Sequence, residues 1–190
     1  PKALVIGDIQ YSRNIFSFRW SNEEREAIGI YEVVFDNTNK KDEAYYNNTN
    51  QTFAFADGAA TASYGSATAK ALADSLYTQQ DSDDGVIQPG KSIGDVKVEG
   101  LKSKHKKNIK SEASGLLTTY DWYVVRKADA GTAVPSAVTT YRAAVRTKSG
   151  EMEVLIDACS TVDELAALYE YTEQEDGSMT RPLGEFPEAV

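Results

Sequence analysis

The sequence holds a single cysteine and a single histidine among 190 residues. One thiol excludes an internal disulfide and any cysteine-built zinc cluster, and it suits a reducing compartment. One imidazole leaves little material for the Ser–His or Cys–His pairs that activate a nucleophile. No apolar run approaches the ~20 residues that a membrane-spanning helix needs, so no membrane partner is expected. No basic and apolar leader opens the sequence, and Pro1 fits a terminus from which an initiator Met has been removed. The expectation is a soluble protein made in the cytosol. Positive charge is also short: 20 Lys and Arg stand against 29 Asp and Glu, a net charge of −9. That balance argues against broad nucleic-acid binding.

What is present fits a globular protein, with 41% apolar and 26% charged residues. A chain of this length buries roughly two thirds of its unfolded surface, enough for one core or two small ones. The charge is uneven. From Asp163 to Val190 eight acids face one base, Arg181, whereas from Lys97 to Lys110 six lysines face one acid, Glu99. Charge runs of this kind form solvated faces. The two segments could also close on each other, within or between chains.

The local signals predict an α+β fold. Residues 1–78 are expected to form a small mixed module with a β-sheet. Ala3–Ile9 reads as a first strand, followed by an aromatic cluster of Phe16, Phe18 and Trp20. Ser21 and Glu24 have capping-box spacing, and Gly29 stands where a short helix should end. Strands are expected at Ile30–Phe35, Thr52–Ala56 and Ala60–Tyr64, the last two joined by the hairpin signal Asp57-Gly58. The Ala-rich stretch Ala67–Tyr77 reads as a helix. Residues 79–100, rich in Gly and Asp, read as a linker with a short strand at Val96–Val98. Residues 101–190 read as a helical domain with an acidic C-terminal tail. There Leu101, His105, Ile109, Ala113 and Leu116 mark one face of a long central amphipathic helix, with Lys102, Lys106 and Lys110 in a separate row. Further helices are expected from Pro135 through Tyr141 to Arg146, over Glu151–Cys159, and after the capping box Thr161–Glu164.

Catalytic motifs fail on their surroundings. Gly85-Val-Ile-Gln-Pro-Gly90-Lys91-Ser92 fits the phosphate-loop pattern, whose backbone N–H groups cradle phosphates while Lys and Ser reach the phosphates and magnesium. That chemistry needs a buried strand before the loop and a helix after it. Here polar Thr78–Asp81 precedes the loop, Gly94 follows it, and Asp81, Asp83 and Asp84 would repel a triphosphate. Val154–Asp157 imitates a magnesium-binding strand end but lies in a helical pattern. Asp81–Gly85 lacks the Gly and Glu spacing of a calcium-binding EF-hand loop, so it reads as a solvated loop. His105 reads as a packed histidine and Cys159 as a small buried hydrophobe. No enzyme activity, cofactor or metal is expected.

What remains is aromatic and Arg-rich: Asp121, Trp122, Tyr123 and Arg126 after Leu116-Leu117, then Tyr141, Arg142 and Arg146 after Pro135. Trp, Tyr and Arg dominate interface energetics, because they bury large area with few lost rotamers or make bidentate contacts. Trp122 is expected to bury its indole against Leu116, Leu117 and Val145, and Asp121 to cap or pair near Arg126 or Arg142.

These residues also carry a resemblance. Leu116-Leu117, Asp121-Trp122, Arg126, Pro135, then Tyr141-Arg142 and Arg146 are similar to the signature of tailed-phage tail assembly chaperones and tail-fibre assembly proteins. The opening, Tyr11 to Asn14 then Trp20-Ser21-Asn22-Glu23-Glu24-Arg25 to Ile30, resembles that of related phage proteins, and Asp42 to Tyr46 resembles an element that follows it. Together they cover about half of the chain, in the family's order. Tyr120 stands where the family has Thr. The resemblance implies a non-enzymatic bacteriophage tail protein, present in the virion as a minor structural component and assembled in the host cytoplasm. Its partners would be tail-fibre or baseplate subunits, in a homo- or hetero-oligomer, with no nucleic acid. An assembly chaperone that leaves the particle is the alternative. The candidate partner-binding residues are Trp20, Arg25, Trp122, Tyr123, Arg126, Tyr141, Arg142 and Arg146.

Overall fold

The computed structural model describes residues 4–16, 19–49 and 51–190. Pro1, Ala3 and Phe18, named above, lie outside them. The fold is α+β, with small sheets in the N-terminal half and long helices in the C-terminal half. The chain divides into two compact units, Pro1–Thr68 and Ala69–Val190.

In the first unit, β1 (Leu4–Ile6) and β2 (Ile9–Tyr11) form an antiparallel hairpin with Ile6 opposite Ile9. The expected single strand is broken because Gly7, at φ 58°, turns the chain where only glycine is comfortable. Ser21 and Glu24 form the expected capping box on α1 (Asn22–Glu26), and Gly29 follows it at φ 82°. β3 (Val33–Asp36) runs parallel to β6 (Ala59–Ser63), while β5 (Thr52–Ala56) runs antiparallel to it, in the order β3-β6-β5. Asp57 and Gly58, both with positive φ, make the β5–β6 turn as expected. A two-residue strand, β4 (Tyr46–Asn47), precedes this hairpin, and β7 (Thr68–Ala69) lies at the boundary of the units. The core here is small. Ile15 and Ala62 are the buried apolar residues among those described in this unit.

The second unit opens differently from the expectation. The stretch Ala67–Tyr77, expected to be helical, contains β7 and β8 (Ser75–Leu76), and β8 pairs antiparallel with β9 (Val96–Val98). Residues 79–100 are therefore not a linker between domains. They hold α2 (Gln79–Asp83), capped by Thr78 and Asp81 in a third capping box, and they return the chain to β8. Asp81 also pairs with Lys97, and these bonds hold its carboxyl at about 2, below the ordinary 3.8.

Two long helices carry the core: α3 (Leu101–Thr118) and α5 (Ser136–Ala158). Leu101, Ile109 and Ala113 of α3 are buried, as the apolar row predicts, and Val138, Tyr141, Val145, Met152 and Ile156 line the buried face of α5. Where two helices are expected, α5 is one. Gly150 does not break it, because packing along α3 holds both halves in a single register. Between them runs α4 (Asp121–Ala130), which ends at Gly131 in the left-handed conformation and buries none of its own residues. α6 (Val162–Ala167) starts on the expected Thr161–Glu164 capping box.

The C-terminal segment is built into the fold. After the small hairpin β10 (Thr172–Glu173) and β11 (Met179–Thr180), Leu183 is fully buried and donates its N–H to the Leu168 carbonyl at 3.0 Å. Phe186 packs on the cluster of Ala113, Tyr120, Val138, Tyr141 and Val145. The lysine row accordingly faces another partner than the C-terminal acids: Lys106 pairs with Asp157 at 2.7 Å and Lys110 with Glu153 at 3.1 Å, while Lys102 donates to the Asp157 carbonyl.

Candidate partner-binding groove

On α5, Arg142, Arg146, Ser149, Gly150 and Glu153 recur at helical spacing and share one face. Across from them α3 presents Lys110, Ala113, Ser114, Leu117 and Thr118, and Asp121 begins α4. Together they line an open groove of about 450 Å³. The small side chains Ala113, Ser114 and Ser149, with Gly150, let the walls approach, and charged groups stand at the rim.

Arg142 is a joint between elements. Its guanidinium, 11% exposed, pairs with Asp121 at 2.8 Å and donates to the Leu117 carbonyl at 2.6 Å. Leu117 is in the last turn of α3, where carbonyls lack helical partners and a cation is favoured, and Asp121 is in the first turn of α4, where an anion is favoured. One arginine thus fastens the α3–α4 corner to α5. Arg146, one turn on, is exposed. It donates to the Arg142 carbonyl at 3.3 Å and makes no ion pair among the described residues.

Trp122 departs from its expected place. Instead of lying in the core it is 51% exposed. Tyr120 takes the interior position: it is buried against Tyr141, with ring centroids 5.1 Å apart, and its hydroxyl donates to the Val190 carbonyl at 2.7 Å. With Tyr120 held inside, the first turn of α4 points Trp122 outward. Its indole stacks on Tyr123 with centroids 3.8 Å apart, and the Arg126 guanidinium lies over both rings at 4.8 and 5.2 Å. Arg126 Nε is buried without a hydrogen-bond partner among the described residues.

The remaining candidates separate. Tyr141 is 3% exposed and belongs to the core, so it cannot meet a partner; burial raises its hydroxyl pKa. Trp20 and Arg25 lie in the first unit. Arg25 spends its donors locally, on the carbonyls of Trp20 and Ser21 and on Asn22 Oδ1, and Trp20 packs edge-on to Tyr11. The phosphate-loop match is flanked by helix α2 before and strand β9 after, the reverse of the strand–loop–helix order that phosphate binding needs. The buried Cys159 thiol donates to the Leu155 carbonyl, and burial raises its pKa. His105 is hydrogen-bonded to the Tyr169 hydroxyl at 2.8 Å, and burial lowers its pKa. Among the described residues no group of three or more His, Cys, Asp or Glu is placed to hold a metal ion, and no helix is long and apolar enough to cross a membrane.

Fold and groove define an α+β protein with a helical face whose exposed residues are of the types that anchor protein interfaces. No protein-family model matches the chain, and no curated protein and no solved structure matches it.

Proposed function

We propose that this chain is a non-enzymatic tail protein of a tailed bacteriophage. It binds tail-fibre or baseplate subunits through α4 and the rim of the α3–α5 groove, and it stays in the virion as a minor structural component. Support comes from the resemblance of the Leu116–Arg146 and Tyr11–Tyr46 stretches to such proteins, and from one observation. The exposed Trp122, stacked on half-buried Tyr123 and Arg126, and the exposed Arg146 lie on neighbouring elements joined through Asp121 and Arg142. An exposed Trp held by stacking loses few rotamers on burial, and an exposed Arg offers a planar fork for bidentate contacts, so both are suited to anchor a partner.

Mass spectrometry of purified particles, beside a pull-down from infected cells, tests the proposal. The chain should be found in particles, and the double variant Trp122→Ala/Arg146→Ala should keep its melting temperature while losing tail proteins from the pull-down. Unchanged capture by the double variant would remove the binding role of this face. Capture without presence in particles would make the protein an assembly chaperone that leaves.

A further inference from the structure

We propose that the outer edge of β5 is a self-association strand, which pairs antiparallel with β5 of a second copy of this chain. The proposal concerns the first unit and does not depend on the tail-protein reading.

β5 is the run Thr52-Phe53-Ala54-Phe55-Ala56, and it is the outer strand in the order β3-β6-β5. One edge pairs with β6 in unbroken register from Thr52–Ser63 to Ala56–Ala59, and no further hydrogen bond is made by these five residues among the described ones. An open edge is a row of unpaired N–H and C=O groups, which proteins normally protect with charge, proline, a bulge or a covering element. β5 has no charged residue, no proline and no bulge, and all five of its side chains are exposed. Phe53 is 69% and Phe55 58% exposed. Exposed backbone and exposed aromatic surface lie on the same five residues.

The order of side chains selects the occupant. The run is nearly symmetric about Ala54. An antiparallel pairing centred there sets Phe53 opposite Phe55 of the second copy, and Phe55 opposite its Phe53. Residues directly opposite in a sheet point to the same face, so both aromatic pairs fall together. That face already carries Phe35, in the row Phe35–Ala62–Phe53. A slip of one residue would put the phenylalanines of the two copies on opposite faces and pair each with alanine. The interface is isologous, as a two-fold dimer requires, and it joins two three-stranded sheets into one continuous sheet. A foreign strand could take the same backbone hydrogen bonds but would not supply the matched aromatic pairs. The first unit also has reason to associate, because Ile15 and Ala62, its two buried apolar residues among those described, are a poor core for a folded module.

The test uses the full chain carrying Ala54→Cys. Cys159 is buried, so the new thiol is the accessible one. Residues facing each other across the axis hold their Cβ atoms about 4.5–5.5 Å apart, close enough for a disulfide after small adjustment. Mild oxidation should link Ala54→Cys into a covalent dimer. Thr52→Cys alone and Ala56→Cys alone should remain monomeric on a non-reducing gel, while a mixture of the two should link. Sedimentation of the unmodified chain should show a concentration-dependent dimer, weakened about tenfold or more by Phe53→Lys, which removes both aromatic pairs. A chain that stays monomeric at every concentration overturns the proposal, even if Phe53→Lys fails to fold. So does a dimer in which the 54–54 link does not form, or a position 54 that is protected only when a different protein is bound.

Discussion

Gly100, the N-cap of α3, is the glycine with least room among those described. Its N–H donates to Asp74 Oδ1 at 2.6 Å, and the next two N–H groups of the helix donate to the carbonyls of Ala71 and Leu72. A Cβ at this position would fall 2.4 Å from the carbon and oxygen of the Ala73 carbonyl and 2.5 Å from the Leu72 oxygen, and backbone cannot step aside cheaply. Gly100→Ala should therefore cost at least about 2 kcal/mol, in the upper range for overpacking. Gly115 is the opposite case: it lies inside α3 with nothing near its absent Cβ, so Gly115→Ala should stabilise by roughly 0.5–1 kcal/mol. Urea denaturation of the two variants checks both signs. Arg142 and Trp122 make a second contrast. Arg142→Ala removes a charged donor from the Leu117 carbonyl, which keeps the Tyr120 N–H, and unpairs Asp121, a loss of roughly 1.5–3 kcal/mol for charge-assisted bonds, whereas Trp122→Ala, on an exposed face, should cost under about 1 kcal/mol. A double-mutant cycle of Arg142→Ala with Asp121→Ala should return a coupling energy of the same sign. His105 adds a pH effect. Because burial lowers its pKa below the ordinary 6.5, the unfolded chain takes up this proton first. The stabilisation is complete above about pH 6.5 and declines as pH falls toward the folded value. His105→Gln should flatten the melting-temperature profile between pH 7 and 5, and an unchanged slope would place the titration elsewhere.

At the level of elements, α4 and α5 differ most. α5 buries one face over its whole length of 23 residues, and each fully buried Val, Met or Ile on it contributes roughly 1.5–3 kcal/mol. α4 buries none of its residues and is held mainly at its N-terminal end, by Asp121 and by Tyr120 before it. Amide hydrogen exchange should accordingly be fastest in the C-terminal half of α4 and slowest in α5 around Val145–Met152. The lysine row contributes less than its regularity suggests. Lys106–Asp157 and Lys110–Glu153 are partly exposed pairs worth ~0–1 kcal/mol each, and they orient α3 on α5 more than they stabilise it.

Across the whole molecule, apolar burial is concentrated in the second unit. Most of the fully buried side chains, Val145, Met152, Ile156, Leu165 and Leu183, belong to it, and the C-terminal segment with Leu183 and Phe186 seals it. Limited proteolysis should therefore remove residues before Ala69 first and leave 69–190 protected, with mass spectrometry locating the cut.

Local chemistry makes part of this fold legible in the amino-acid sequence alone. The Ser21–Glu24 and Thr161–Glu164 boxes, the Asp57-Gly58 turn and the apolar row from Leu101 to Ala113 all form as expected, because each depends on residues within a single helix or a single hairpin. The Thr78–Asp81 box carries the same local signal, masked by the Asp-rich run in which it sits. Tertiary structure decides the rest, through partners distant in sequence. Ala67–Tyr77 is Ala-rich yet contains strands, because Ser75 and Leu76 pair with Val98 and Val96, and Tyr77 bonds to Asp95. Trp122 lies outside because Tyr120 is held by Tyr141 and by the backbone of Val190, 70 positions away. The acids that meet the lysine row come from α5 and not from the last segment, since the α3–α5 packing sets which charges face each other. Spacing determines what a residue does to its own helix or turn; which face then meets water, core or partner is set by the competition of all apolar groups for one interior.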